Sequence, residues 1–181
     1  MNVSLILAAA VILAIIFIYN QLIRLRNLAR EGWSGIDVQL KRRADLVPNL
    51  VSVVKAYASH EKALFEEVTR IRSEALRPHS VEEQGESEAA LTQSLRKLLV
   101  VAEAYPELKA NQNFLELQQE LSSIENTLQK ARRYYNGTVR ELNTKIETFP
   151  QNLIAKLFSF HKEPFFSLSS EAERSTPEIN L

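Results

Sequence analysis

Between Val3 and Ile23 the chain carries no charged side chain, and VSLILAAAVILAIIFIY (residues 3–19) is apolar apart from Ser4. At about 1.5 Å of rise per residue, the 21 residues of this run reach about 30 Å as a helix, the thickness of a bilayer's hydrocarbon core. Tyr19 falls where an aromatic side chain anchors a span at the lipid–water interface. A cleaved signal peptide is the competing assignment. Against it, no basic side chain precedes the apolar run, and no small-x-small site follows before the charges begin. Residues 1–23 are therefore read as a retained transmembrane anchor that meets lipid through residues 3–23.

Charge then orients the span. Residues 24–43 hold six basic side chains (Arg24, Arg26, Arg30, Lys41, Arg42 and Arg43) against Glu31 and Asp37. Basic flanks stay on the cytoplasmic side, which puts the amino terminus outside and everything after residue 23 in the cytosol. Arg24, Arg26 and Arg30 are close enough to contact lipid head groups. Lys41 lies 18 residues beyond Ile23, about 27 Å along a helix, whereas screened attraction to lipid charge fades within roughly 10 Å.

Composition excludes several function classes. Hydrophobic residues make up 45% and charged residues 24%, the balance of a folded protein. Twenty-two basic against 22 acidic side chains leave no global charge to draw nucleic acid. With no cysteine, disulfides, thiol nucleophiles and zinc–thiolate sites are ruled out. Four glycines are too few for phosphate-cradling loops or a turn-rich β fold, so the expected class is all-α.

Apolar residues after the anchor recur at Leu25, Ala29, Trp33, Ile36, Leu40, Ala44, Val47, Val51, Val54, Ala58, Phe65, Val68 and Ala75. Steps of three and four mark a helix face that packs on other helices. Pro48 falls inside this seam without breaking its phase, which predicts one long helix bent near residues 45–48. An alternative has Asp45 capping a new helix with proline in its first turn. RPHSVEEQGESE (77–88) reads as a loop, followed by a short helix with Leu91, Leu95, Leu98 and Ala102 on one face. After the connection AYPELKAN (104–111) comes the most regular seam, from Phe114 through Leu121, Leu128, Tyr135 and Leu142 to Phe149. Pro150 opens a short helix through Leu157, and from Ser159 onward the chain reads as a loosely ordered tail.

No pattern of catalytic or metal-binding residues emerges. His60-Glu61 begins like a zincin motif, but Leu64 occupies the place of the second histidine. There is no Glu-x-x-His pair for a di-iron bundle, and no glycine-flanked serine elbow for hydrolysis. His79 and His161 fall in the predicted loop and tail. No metal, cofactor or catalytic residue is expected. Tyr134-Tyr135 reads as half core, half outer face.

The segment KRRADLVPNLV (41–51) lacks interleaved aromatics for nucleic acid and is too far from the span for lipid. Asp37, Lys41, Asp45 and Asn49, each four apart, form a polar stripe beside the seam. Glu125, Gln129, Arg132, Asn136, Arg140 and Asn143 form a comparable stripe on the last long helix. Two readings stand: solvated flanks, or stripes that meet one another or a second copy and fix helix register through paired charges.

WSGIDVQLKRRADLVPNLVSVVKAYASHE, AYPELKANQNFLELQQELSSIENTLQKARRYYNGTVRELNTKIETFP and the closing EPFF resemble the LemA family of bacterial membrane proteins. The likeness runs from about Tyr19 to Phe166, with RADLVPNLV and ARRYYN the most specific segments. It departs at Gly137, where relatives tend to carry an acidic residue, and in a longer, more acidic 78–90 segment. The resemblance implies a short membrane anchor, an elongated up-and-down bundle of about four helices and no established enzymatic activity. The chain is thus read as an anchor (1–23), a bundle (24–158) and a tail (159–181), single-pass in the bacterial cytoplasmic membrane. The expected role is a non-enzymatic scaffold working through protein partners or self-association. The alternatives are an accessory subunit of a membrane protease or signalling system, using the acidic 80–90 loop as a contact surface, and a membrane-remodelling assembly.

Overall fold

The computed structural model describes residues 3–77 and 80–167. Its elements are α1 (Val3–Tyr57), α2 (Lys62–Ala75), α3 (Val81–Glu103), α4 (Pro106–Lys109), α5 (Gln112–Glu147) and α6 (Gln151–Leu157), with no strand among the described residues. The protein is all-α, and a long apolar helix leads it. Helices α1 and α5 each contribute to two compact units; of the described residues, one holds 3–36 and 130–165, the other 37–77, 80–129 and 166–167.

In the first unit the start of α1 has no protein cover. Val3, Leu5, Leu7, Leu13 and Phe17 are each more than 60% exposed, so α1 carries a segment long and apolar enough to cross a membrane. Packing begins at Leu22 and Leu25, which meet Leu142 of α5, Ala155 of α6 and Phe160, with Ile18 and Tyr19 at the edge of this cluster. Further along, the Trp33 and Tyr135 rings sit 5.6 Å apart, and a Cβ on Gly32 would lie 3.2 Å from the Tyr135 backbone, so α1 and α5 approach closely here. Tyr135 is core and Tyr134 is half exposed, as the seam register predicts.

Helix α6 ends in a Schellman motif. Ser159 takes the left-handed position (φ 55°), Phe160 N–H donates to Ala155 C=O at 2.8 Å and Ser159 N–H to Lys156 C=O at 3.3 Å. The chain beyond is held down rather than loose. Tyr135 OH donates to Pro164 C=O at 2.9 Å, and the Asn143 amide pairs with the Glu163 backbone through bonds of 2.8 and 2.9 Å. The start of the expected loose tail is therefore packed as far as the buried Phe166; residues 168–181 of that tail lie outside the described residues.

The second unit has five helical segments around one core: the latter part of α1 (Val47, Leu50, Val54), α2 (Phe65, Val68, Ile71), α3 (Leu91, Leu95, Leu98), the short α4 (Leu108) and the first part of α5 (Phe114, Leu121). One stretch of the seam follows the leading sequence reading and another departs from it. Helix α1 runs unbroken through Pro48, so the bend does not become a new helix at Asp45. Instead, the seam drawn from Leu25 to Ala75 breaks at residues 58–61, where Glu61 N–H donates to Ala58 C=O at 3.1 Å. No glycine or proline marks that turn; it forms because folding α2 back buries Phe65 and Val68.

The acidic segment is also corrected. Residues 81–88 are helix, not loop. Ser80 and Glu83 form a reciprocal capping box, Ser80 Oγ accepting from Glu83 N–H and Glu83 Oε2 accepting from Ser80 N–H. Carboxylates in a first turn are favoured by the helix dipole, so the run that suggested a loop starts a helix. Farther on, the Asn111 side chain caps α5 by accepting from Phe114 N–H, while its amide donates to the Tyr57 hydroxyl near the end of α1.

Candidate interaction site: a buried charge cluster joining three helices

The second unit contains an ionic cluster built on Arg43. Ile36, Leu40, Arg43, Val47, Leu50 and Val54 follow each other by fours and threes along α1, so Arg43 occupies a core position of the heptad. Gln84, Glu88, Leu91, Leu95, Leu98 and Ala102 repeat the same pattern on α3, with Glu88 in a core position. Both side chains are 1% exposed.

The guanidinium bridges three helices. Arg43 Nη1 donates to Glu88 Oε2 of α3 at 3.1 Å, while Nη2 meets Glu125 Oε1 of α5 at 2.6 Å and donates to Thr92 Oγ1 at 2.8 Å. The Thr92 hydroxyl donates in turn to Glu88 C=O at 2.8 Å. Gln84 Nε2 reaches Glu88 Oε1 and Ala75 C=O, each at 3.5 Å. Only the planar, multi-donor fork of arginine serves two carboxylates and a hydroxyl at once; a lysine ammonium is a single point charge. Val47, Leu50, Leu95, Leu117 and Leu121 line the space beside Arg43 with apolar surface. Charges taken out of water this far stay compatible with folding only when closely paired, so the cluster fixes how α1, α3 and α5 are aligned along their lengths.

The stripe residues fall elsewhere. Asp37, Lys41, Asp45 and Asn49 are all exposed on α1. Asp45 faces Arg72 of α2 at 3.9 Å. The α1 cations that meet α5 are their neighbours: Arg42, 3.6 Å from the exposed Glu120, and the buried Arg43. Of the α5 stripe, Glu125 joins the cluster at one-third exposure, Asn143 ties down Glu163, and Arg132 and Asn136 are half-buried members of the first unit with partners of their own. Among the proposed lipid contacts, Arg24 and Arg30 are exposed, while Arg26 is half-buried with its guanidinium 5.0 Å from the Phe160 ring centre. His60 and His161 are exposed, and His79 lies outside the described residues.

Sequence reasoning missed Arg43 and Glu88 as the charges that matter. The available signal was their heptad position: charged side chains at steps of three and four between leucines, valines and isoleucines.

An apolar helix that leads into a bundle locked by internal ion pairs defines a membrane-associated helical protein. The family model described as "LemA family" matches residues 32–181, and the chain belongs to that family. Protein LemA of Metamycoplasma hominis is 29% identical over 157 residues, covering 86% of this chain and 71% of that protein. Magnetosome protein MamQ 2 of Paramagnetospirillum magneticum is 20% identical over 192 residues, covering 92% and 71%. Magnetosome protein MamQ of Magnetospirillum gryphiswaldense is 20% identical over 196 residues, covering 91% and 72%.

Proposed function

We propose that the protein is a membrane-anchored scaffold, without catalytic activity of its own, that works through contacts with other macromolecules or with further copies of itself. The anchor crosses the bacterial cytoplasmic membrane once, with the amino terminus outside and the bundle in the cytosol. The continuity of α1 carries this reading: one helix runs from the apolar segment at Val3 to Tyr57, which is half-buried against the core of the second unit. A partner held by the bundle is thereby coupled to the bilayer through a helix with no loop in it. The pairing of Arg43 with Glu88 and Glu125 supports a structural role, because these side chains are engaged with one another. The basic flank at Arg24, Arg26 and Arg30 supports the orientation.

A second reading, the accessory subunit, draws on the exposed Glu82, Glu83 and Glu86 at the start of α3, an acidic surface presented by a helix. Cross-linking mass spectrometry on the full chain in intact membranes tests both. Scaffolding predicts reproducible intermolecular links from exposed lysines such as Lys41, Lys55 and Lys97. The accessory reading predicts links to one membrane partner that vanish when Glu82, Glu83 and Glu86 are changed to glutamine. Intramolecular links alone contradict both readings.

A further inference from the structure

Among the described residues, ten large hydrophobic side chains beyond the apolar span are conspicuously exposed, and four of them (Phe149, Leu153, Leu157 and Phe158) fall within ten residues of sequence. Leu153 and Leu157, one turn apart on α6, are 59% and 70% exposed, and Phe149 in the turn just before the helix is 74% exposed. On the other side of α6, Ile154 and Ala155 are buried. This short helix is therefore apolar on both sides, with the exposed Lys156 between them. One side is covered by protein and the other is bare.

The location of α6 indicates what covers the bare side. The Phe158 ring lies 4.8 Å from that of Tyr19, and Phe160 lies 5.9 Å from it on an edge-on approach. Tyr19 closes the lipid-exposed run of α1, and Leu22 and Leu25, one and two turns further on, pack with Ala155. At about 1.5 Å per residue, Leu22 stands roughly 5 Å along the axis from Tyr19. The end of α6 therefore lies against Tyr19, at the level where tyrosine residues meet lipid head groups. Exposed basic side chains, Arg24 on α1 and Lys156 on α6, lie in the same region, as expected beside anionic lipid.

We propose that α6 is a second membrane contact, lying in the interfacial layer with Phe149, Leu153 and Leu157 immersed between head groups and acyl chains. The bundle is then held to the bilayer at two points, the span and α6, and its tilt is restricted. The proposal rests on the anchor reading of residues 1–23, and its test separates the two.

The chain contains no cysteine, so single nitroxide labels can be placed in the full-length protein without other changes. Labels at Phe149→Cys, Leu153→Cys and Leu157→Cys are compared with Leu13→Cys in the span and Ser122→Cys on an exposed face of α5. The host is a nanodisc of palmitoyl-oleoyl phosphatidylethanolamine and phosphatidylglycerol. Collision rates with oxygen and with a water-soluble nickel chelate report immersion. The expected result is an oxygen-to-nickel ratio at 149, 153 and 157 several-fold above that at 122, approaching that at 13. A ratio equal to that at 122, with residue 13 still immersed, overturns the proposal and leaves the anchor standing. An aqueous ratio at residue 13 as well overturns both. Spin–spin broadening at 153 that disappears on dilution with unlabelled protein assigns the bare side to a second copy and also overturns the proposal.

Discussion

Arg43 gives the second unit its most sensitive residue. Replacing it with methionine removes the guanidinium that pairs with the buried Glu88 and with Glu125. Breaking a buried pair from one side costs about 3–5 kcal/mol. Arg43→Met is therefore expected to lower unfolding free energy by about that amount, and Arg43→Lys by a large part of it, because one ammonium cannot reach both carboxylates. Arg43→Met combined with Glu88→Leu removes both charges and is expected to recover much of the loss, whereas Asp45→Ala on the exposed face changes stability by less than about 0.5 kcal/mol. Denaturant unfolding in detergent measures all four; a double variant no more stable than Arg43→Met alone counts against the pairing. At this scale the sequence was legible only to someone who kept the heptad register while passing over charges. The four-residue spacing of Asp37, Lys41, Asp45 and Asn49 marked a regular stripe, but charge spacing alone does not distinguish a solvent face from a core position. The apolar neighbours do: Arg43 lies between Leu40 and Val47, and Glu88 three residues before Leu91.

At the scale of elements, Pro48 shows why a local breaker failed to break. Proline at 48 removes the donor that would bond Ala44 C=O four residues back. That carbonyl instead accepts from Arg72 Nε of α2 at 2.7 Å. A tertiary hydrogen bond replaces the local one, and α1 continues. Arg72→Met should cost about 1.5–3 kcal/mol in the natural chain, the range for a hydrogen bond from a charged group, and much less beside Pro48→Ala, where the new N–H can bond Ala44. Equal costs in the two backgrounds would refute this account.

The same scale contains the turn at 58–61, invisible beforehand because tertiary burial of α2 rather than local punctuation sets it. The helical start at Ser80, by contrast, was written in the sequence as a serine three residues before a glutamate. Glycines provide a separate comparison. A Cβ at Gly137 meets nothing within 4 Å, so Gly137→Ala should stabilise α5 by roughly 0.5–1 kcal/mol. A Cβ at Gly85 would collide with Ser167 C=O, so Gly85→Ala must displace the chain at residues 166–167. Faster amide exchange around Phe166 in Gly85→Ala, and not in Gly137→Ala, is the expected signature.

For the molecule as a whole, the class and the leading apolar helix were readable from composition and period, because both follow from sums over many residues. What joins the helices was less readable, because it depends on a few side chains far apart in sequence, such as Arg43 with Glu88 and Asn143 with Glu163. The proposed role depends on α1 being at once anchor and bundle helix, and on the bundle facing the cytosol. Lys41→Cys, exposed on α1 in a chain otherwise free of cysteine, reports this directly through a gel shift with a membrane-impermeant maleimide. The account predicts that, in intact spheroplasts, residue 41 stays unlabelled until lysis, while the protein remains with alkaline-washed membranes. Labelling before lysis, or recovery of the protein in the soluble fraction, would contradict it.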